Sequence, residues 1–271
     1  MKGCIFEEVS AILNDIQKIF ADDDQWYRKI WTLAIQEMSW VEQTKEQVDF
    51  IWEVLALNGG EVILDLACGF GRHALEFAQR GCRVIGVDIT TAYIDEAKKQ
   101  ASEQGLDASF ICADLRNLQF TEEFDVVLNL ADGAIGYLEN DAENLKIFDR
   151  IAAALKPGGK HLMDVCNGAY AAKYFPKRNW VFGQQSLSLA DFEWEPESSR
   201  MFYGGLEFKY GEILEKPEKI YSNPIRLYNM QELTVIFQDR GMEIRRSYGD
   251  FNAAIQASDD IFQIQVISQK K

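Results

Sequence analysis

Histidine is nearly missing from this chain: His73 and His161 are the only two in 271 residues. A metal centre built on several imidazoles is therefore excluded. The five cysteines, Cys4, Cys68, Cys82, Cys112 and Cys166, form no CxxC pair and no spacing that suits a zinc site or a disulfide framework. No metal is expected, and the thiols are expected to serve as small buried hydrophobes. Long apolar runs are missing too. None approaches the ~20 residues of a membrane helix, and the first stretch, "MKGCIFEEVSAILNDIQKIF", is charged throughout. The expectation is a cytoplasmic protein without a membrane partner. Positive charge is scarce, with 28 Lys and Arg against 43 Asp and Glu and a formal net charge of -15. Phosphate binding draws most of its affinity from cations, so nucleic acid is a poor candidate partner. The compact basic stretches, Lys173 to Arg178 and Arg240 to Arg246, are short and read as solvated surface.

What is present is apolar patterning sufficient for a substantial core, at 47% hydrophobic residues, in one domain with embellishments or two tightly joined. Val9, Ile12, Leu13, Ile16, Ile19 and Phe20 recur at one-face spacing and predict a helix. A second helix is predicted from about Lys45 to Leu57, stopped by Asn58 to Gly60. From Glu61 strands and helices alternate. "VILDL", "CRVIGVD", "ASFICAD", "FDVVLNL" and "KHLMDV" are short, nearly continuous apolar strands, and the stretches between them are amphipathic. That rhythm predicts a parallel sheet covered on both faces. After Asn167 it gives way to polar and apolar residues in turn, which predicts a small antiparallel sheet between Trp180 and Leu227. Asn229 and Glu232 are spaced as a capping box for a further helix, and "MEIRRSYGDF" and "DIFQIQVIS" close the chain as antiparallel neighbours. The organisation expected is an N-terminal helical cap over 1–58, a core from 59–170 and 228–271, and an insertion at 171–227.

The loop after the first core strand, "LDLACGFGRHAL", poses the question of the ligand. Gly69, Gly71 and Ala74 fit G-x-G-x-x-A and Asp88 ends the next strand, which on spacing alone also describes a dinucleotide site. Asp65 weighs against it. A pyrophosphate beside that carboxylate would be repelled, whereas a ligand carrying an ammonium and a sulfonium would be attracted. Asp114, ending the third strand, extends the same sign logic as an acceptor for an adenine amino group.

In order and spacing, "VILDLACGFGRHALEFAQRGCRVIGVDIT", "ICADLRNLQF", "FDVVLNLADGAIGYL" and "ALKPGGKHLMDV" resemble the successive motifs of the class I S-adenosylmethionine (SAM)-dependent methyltransferases, most nearly their bacterial small-molecule branch. The resemblance runs from roughly Trp26 to the end. It implies an α/β, Rossmann-like seven-stranded sheet, mostly parallel with the last strand antiparallel, and SAM as cofactor with S-adenosylhomocysteine as product. It also implies roles. Asp65 and the backbone of Ala67, Cys68, Gly69 and Gly71 would hold the methionine part, and Asp88 the ribose hydroxyls. Ile89, Asp114 and Leu115 would frame the adenine, and Asn129 and Leu130 would face the sulfonium. Arg72 would pair with the cofactor carboxylate or sit on solvent, and Thr90 would cap the following helix.

For the acceptor side, candidates lie at the carboxyl edge of the sheet, where open parallel sheets bind ligands. Asp132, Tyr137 and Asp164 are candidate catalytic groups; the alternatives are loop architecture for the first two and a buried hydrogen-bonding role for Asp164. Trp31, Tyr137, Asn167, Arg226 and Tyr228 are candidate substrate contacts, Arg226 reading equally as a salt bridge. The aromatics Trp26, Tyr27, Trp31 and Trp40, with Trp180, Phe192, Trp194, Phe202 and Tyr203 of the insertion, would roof the pocket or form the insertion's own core. The function expected is methyl transfer to a small molecule by a monomer or homodimer. Two others stay open: a SAM-binding sensor without catalysis, and an NAD-dependent oxidoreductase.

Overall fold

Short apolar runs that alternate with amphipathic ones must bury both sheet faces, and the backbone does so from Val62 onward. The structure, a computed structural model, describes residues 17–20, 25–213 and 219–271, with side chains from Gln25 on except those of 39–40 and 219–222. The first predicted helix falls partly on Val9, Ile12, Leu13 and Ile16, outside the described residues; its end is instead a strand, β1 (Gln17–Phe20).

The core elements are α1 (Thr44–Leu55), β2 (Val62–Leu66), α2 (Arg72–Gln79), β3 (Arg83–Asp88), α3 (Thr91–Gln104), β4 (Ala108–Cys112), β5 (Phe124–Asn129), α4 (Asp141–Ala154), β6 (Leu155–Cys166) and α5 (Gly168–Tyr174). After the insertion come α6 (Met230–Gln238), β11 (Met242–Gly249), β12 (Asn252–Gln256) and β13 (Gln263–Lys270). The sheet runs β12-β11-β13-β6-β5-β2-β3-β4, parallel from β6 to β4. β13 lies antiparallel to both β6 and β11, as the resemblance implies, and the edge strand β12 makes eight strands where seven were expected. Neighbouring strand residues go to opposite faces. Ile63 and Val126 pack with Val48, Ile51, Phe77 and Ile94 of α1 to α3, while Leu64 and Val127 pack with Ile147, Phe148, Leu233 and Phe237 of α4 and α6. Each such fully buried side chain contributes about 1.5–3 kcal/mol over leaving it in water.

Local chemistry sets the ends. α1 stops two residues before the predicted Leu57, because Ala56 enters the left-handed region at φ 51° and its N–H turns back to Glu53 O. The capping box of α6 forms as expected: Glu232 N–H donates to Asn229 Oδ1 and Asn229 N–H to Glu232 Oε2, both at 2.9 Å. β6 starts directly after α4, earlier than expected, and takes up "KPGG" as an irregularity in its pairing with β5.

The insertion is β7 (Lys177–Phe182), β8 (Ser186–Glu195), β9 (Arg200–Lys209) and β10 (Lys219–Arg226), and β1 adds to it in parallel, giving the order β1-β10-β9-β8-β7. It is seated on the core through aromatic contacts: Phe192 stacks on Phe175 at 5.2 Å and meets Phe262 edge-on at 5.2 Å. The segment before α1, which lies between the two predicted N-terminal helices, is a series of short 3-10 turns. It bridges core and insertion. Tyr93 O–H donates to Thr32 O at 2.9 Å, Glu37 pairs with Lys209, and Gln184 N–H donates to Glu42 at 3.1 Å.

Candidate active site

The glycine loop leaves β2 through left-handed backbone at Ala67 (φ 55°), Gly69 (φ 57°) and Gly71 (φ 83°). The two glycines do different things. A Cβ on Gly71 would lie 2.9 Å from Phe110 Cε1 and 3.0 Å from Ala97 Cβ, so this glycine permits close helix-to-sheet packing. A Cβ on Gly69 would meet nothing nearer than Tyr93 Cδ2 at 4.0 Å, so that side of the loop is open to a ligand. Asp88 fixes the loop, its carboxylate accepting the N–H groups of Gly69 at 2.9 Å and Thr90 at 2.8 Å. Thr90 stands at the cap position of α3, but its side chain makes no capping bond, in contrast to expectation. Its hydroxyl serves Asp88 instead.

Asp65, on β2 beside the loop, is 2% exposed, and its Oδ2 is buried without a hydrogen-bond partner. Burial pushes its carboxyl up to about 7; Arg72 opposes the shift and Asp88 adds to it. Arg72 itself is anchored from α1, donating to Thr44 Oγ1 at 2.6 Å and Gln47 Oε1 at 2.8 Å. Desolvation brings its guanidinium down to about 10, with Asp164 and Asp65 acting to hold the charge. Arg72 is thus a half-buried cation between strand ends. His73 pairs with Gln47 at 2.9 Å and is kept neutral by burial, a packing role.

On the adenine side Asp114 is held by two arginines. Asp114 Oδ1 accepts Arg116 N–H at 3.0 Å and Arg116 Nε at 2.9 Å, while its Oδ2 accepts Arg116 Nη2 at 2.6 Å and Arg28 Nη2 at 2.9 Å. Four donors occupy the carboxylate expected to receive the adenine amino group, and Arg116 holds it below the usual range. Arg116 also pairs with Glu139 at 3.0 Å and Glu143 at 2.8 Å. Neither Arg28 nor Arg116 was singled out from sequence; the signal was the "DLRN" spacing that puts an arginine two residues after the acid. Ile89 is half-buried and Leu115 buried beside them.

At the end of β5 Asn129 is fully buried. Its Nδ2 donates to Gly133 O at 2.9 Å and its Oδ1 pairs with His161 Nε2 at 3.2 Å. Both ends of the Asn129 amide are thus engaged internally, which leaves its main chain for a ligand; Leu130 next to it is also buried. His161, paired with Ser268 and Asn129 and held neutral by burial with its pKa down at about 3, is structural. After Leu130 come four successive left-handed residues, Ala131 (φ 51°), Asp132 (φ 66°), Gly133 (φ 53°) and Ala134 (φ 64°). Such a conformation costs about 1–2 kcal/mol per non-glycine residue, so it persists only where surroundings impose it. Asp164 on β6 does so: its carbonyl accepts Asp132 N–H at 2.9 Å and its Oδ2 accepts Ala131 N–H at 3.2 Å. Gln265 and Gln263 donate to the same carboxylate at 2.8 and 2.9 Å. Of the two readings of Asp164, catalytic group and buried hydrogen-bonding partner, this geometry matches the second. Burial lifts its carboxyl to about 7.

The turn presents Asp132. Its Oδ1 accepts Cys166 N–H at 3.1 Å and its Oδ2 accepts Tyr137 O–H at 3.3 Å, and burial raises its pKa. Tyr137 lies between two tryptophans of the N-terminal segment, 5.1 Å from Trp26 and stacked at 6.4 Å on Trp31. Tyr203 of β9 faces the same group electrostatically. The structure thus brings together Asp132, Tyr137 and Trp31 from the sequence-based set, and adds Cys166.

Three further candidates are committed elsewhere. Asn167 caps α5, accepting Ala169 N–H at 3.0 Å, and spends its amide hydrogens on Ser258 O at 3.0 Å and Ile261 O at 3.1 Å. Arg226 is bound by Glu232, by Asp141 at 3.4 Å and by Leu227 O, with its guanidinium 4.5 Å from the Tyr228 ring centroid, so the salt-bridge reading applies. Tyr228 packs edge-on against Phe148 at 5.8 Å with its hydroxyl buried and unpartnered. Side-chain placement of Trp40 lies outside the described residues.

Among the described residues no group of three or more His, Cys, Asp or Glu is placed to hold a metal ion, and no helix is long and apolar enough to cross a membrane. The cradle does suit a cationic nucleoside. A buried unpartnered carboxylate adjoins a loop open over Gly69, where a pyrophosphate would meet repulsion.

Residues 63–159 match the family profile described as a methyltransferase domain. YqeM of Bacillus subtilis is 25% identical over 192 residues, 70% of this chain and 76% of that protein. The ubiquinone biosynthesis O-methyltransferase of Nitrobacter winogradskyi is 29% identical over 142 residues, 52% of this chain and 49% of that enzyme, so the chain spans about half the length of this relative. The crystal structure of an S-adenosylmethionine-dependent methyltransferase from Clostridium acetobutylicum superposes with a TM-score of 0.70 at 18% identity, covering 90% of this chain and 99% of that one, which shows the shared fold. Residues 63–159 thus carry a methyltransferase domain, and the chain as a whole has the fold of S-adenosylmethionine-dependent methyltransferases.

Proposed function

We propose that the protein transfers the methyl group of SAM to a small-molecule acceptor and releases S-adenosylhomocysteine. The observation that carries this reading is the buried, unpartnered Oδ2 of Asp65 beside a glycine loop open to a ligand. Bound SAM supplies a methyl carbon already activated by its sulfonium. Asp65 receives the ammonium of the methionine part, and Arg72 offsets its carboxylate. The main chain of Ala67, Cys68, Gly69 and Gly71 gives close approach, and the carboxylate of Asp88, held beside the loop, takes the ribose hydroxyls. Ile89 and Leu115 pack on the adenine, Asp114 serving its amino group once Arg28 gives way. Asn129 and Leu130 contribute main chain at the sulfonium.

The remaining work is to align the acceptor and exclude water. Trp26, Trp31 and Tyr137, with the insertion at 171–227 as a lid and the 1–58 region as a cap, provide a roof for it. The acidic chain, at a formal net charge of -15, favours a small acceptor over nucleic acid.

Calorimetric titration with SAM, S-adenosylhomocysteine and NADH in parallel tests the reading. Binding of the first two and none of the third is expected. Binding of NADH alone would overturn the assignment of Asp65 and what rests on it.

A further inference from the structure

Asp132 stands out among the groups that face the acceptor side. It is displayed on a left-handed turn that two neighbouring side chains, Asn129 and Asp164, hold in place. A Cβ on Gly133 would fall 2.5 Å from Asn129 Cβ, so the turn also depends on a glycine at its centre. Backbone strain imposed this thoroughly, at the carboxyl edge of the sheet, fixes one carboxylate in one direction.

The surroundings of that carboxylate are one-sided. Tyr137 and the Cys166 N–H donate to it, and the titratable groups that face it, Asp164, Tyr137, Cys166 and Tyr203, are all acids. Among the described residues no lysine, arginine or histidine forms an ion pair with it; Arg72 donates to Thr44 and Gln47 of α1. A half-buried carboxylate without a cation is costly, and the Tyr137 ring whose hydroxyl donates to it packs against Trp26 and Trp31, aromatic surface of the kind that accommodates positive charge.

We infer that the acceptor is an amine, bound as its ammonium by Asp132 under the tryptophan roof, and that Asp132 removes the proton that blocks the nitrogen lone pair. The inference rests on the methyl-transfer reading above and specifies its substrate class. The proton passes to Asp132, and the freed lone pair forms the nitrogen–carbon bond while the carbon–sulfur pair stays on sulfur. The product nitrogen then carries the positive charge, and the Asp132 proton is returned to water. Burial raises the Asp132 pKa towards what such an exchange needs. Tyr137 orients the carboxylate, and the Cys166 N–H stabilises its charged form.

The test pairs benzylamine with benzyl alcohol and cyclohexylamine with cyclohexanol. Each is titrated calorimetrically into protein saturated with S-adenosylhomocysteine, and each is assayed for methyl transfer from SAM. Asp132→Asn is the matched variant, because asparagine tolerates the left-handed backbone of this position. Expected is amine binding at least tenfold tighter than the alcohols. The variant should lose at least tenfold in both amine binding and turnover, with SAM affinity unchanged, and Tyr137→Phe should lose less. Preference for the alcohols, no binding of either amine, or an Asp132→Asn protein within twofold of wild type would overturn the inference. Intact SAM binding in those cases leaves the methyltransferase reading in place, whereas wild-type protein that does not bind SAM sinks that reading itself.

Discussion

The backbone N–H of Asp132 donates to the main-chain carbonyl of Asp164 at 2.9 Å, so the end of β6 dictates the path of the chain as it leaves β5. One carboxylate is a strut and the other is what the strut displays.

That division predicts opposite phenotypes. Asp164→Ala removes the acceptor for Ala131, Gln263 and Gln265 and leaves buried donors unmet, which costs about 1–3 kcal/mol each. Denaturant unfolding should show a loss of that order, and Asp132→Asn, by the same measurement, should show little.

Asp88→Ala should weaken SAM binding by about 1–3 kcal/mol, the cost of losing hydrogen bonds to a charged group. The loop bonds from Gly69 and Thr90 are lost with it, so amide hydrogen exchange at Gly69 should accelerate in the ligand-free variant. Unchanged affinity would remove Asp88 from the site.

The pH dependence of binding follows from Asp65, whose carboxyl sits at about 7 against a usual 3.8. A raised acid pKa means the folded protein holds a proton that the unfolded chain has lost. This contribution to stability is therefore present at low pH and declines between about 4 and 7 as pH rises. A cationic ligand favours the carboxylate and pulls this pKa down. SAM affinity should accordingly rise from pH 6 to pH 8, with a proton released on binding near neutrality, detectable as a buffer-dependent enthalpy. In Asp65→Asn the released proton should vanish, Arg72 and Asp88 remaining as the nearby charges.

Arg28 ties the N-terminal segment to Asp114 with side chains 34% and 16% exposed, where an ion pair is worth only about 0.2–1 kcal/mol. Arg28→Ala should leave SAM affinity within about threefold while speeding both association and dissociation, as followed by stopped-flow fluorescence of Trp26 and Trp31. Unaltered rates would mean that the contact does not restrain access to the adenine side.

How much was legible in the sequence depended on whether one local pattern decided the outcome. The core strands and helices were legible because burial on two faces forces apolar runs into "VILDL" and "FDVVLN", and Asn229 and Glu232 carry their cap within four residues. β12 was not, since every residue of "NAAIQ" is exposed and its pairing comes from the hairpin with β11 rather than from any periodicity. The apolar repeat ending at Ile19 and Phe20 suggested a helix, yet β1 is set by a partner strand far along the chain. In the candidate site, residue types were legible and engagements were not. Nothing local says that Asp114 meets Arg28, that Arg226 meets Glu232, or that Asn129 looks inward to His161.

The parallel pairing of Gln17 with Lys219 carries a consequence for synthesis on the ribosome. β1 is made well before its partner β10, and strands β2 to β6 of the core sheet emerge in between. Until then its hydrogen-bonding groups have only water or a chaperone to satisfy them. The order of emergence lets the glycine-loop cradle of β2 to β4 form before β1 can join the inserted sheet, with β11 to β13 still to follow.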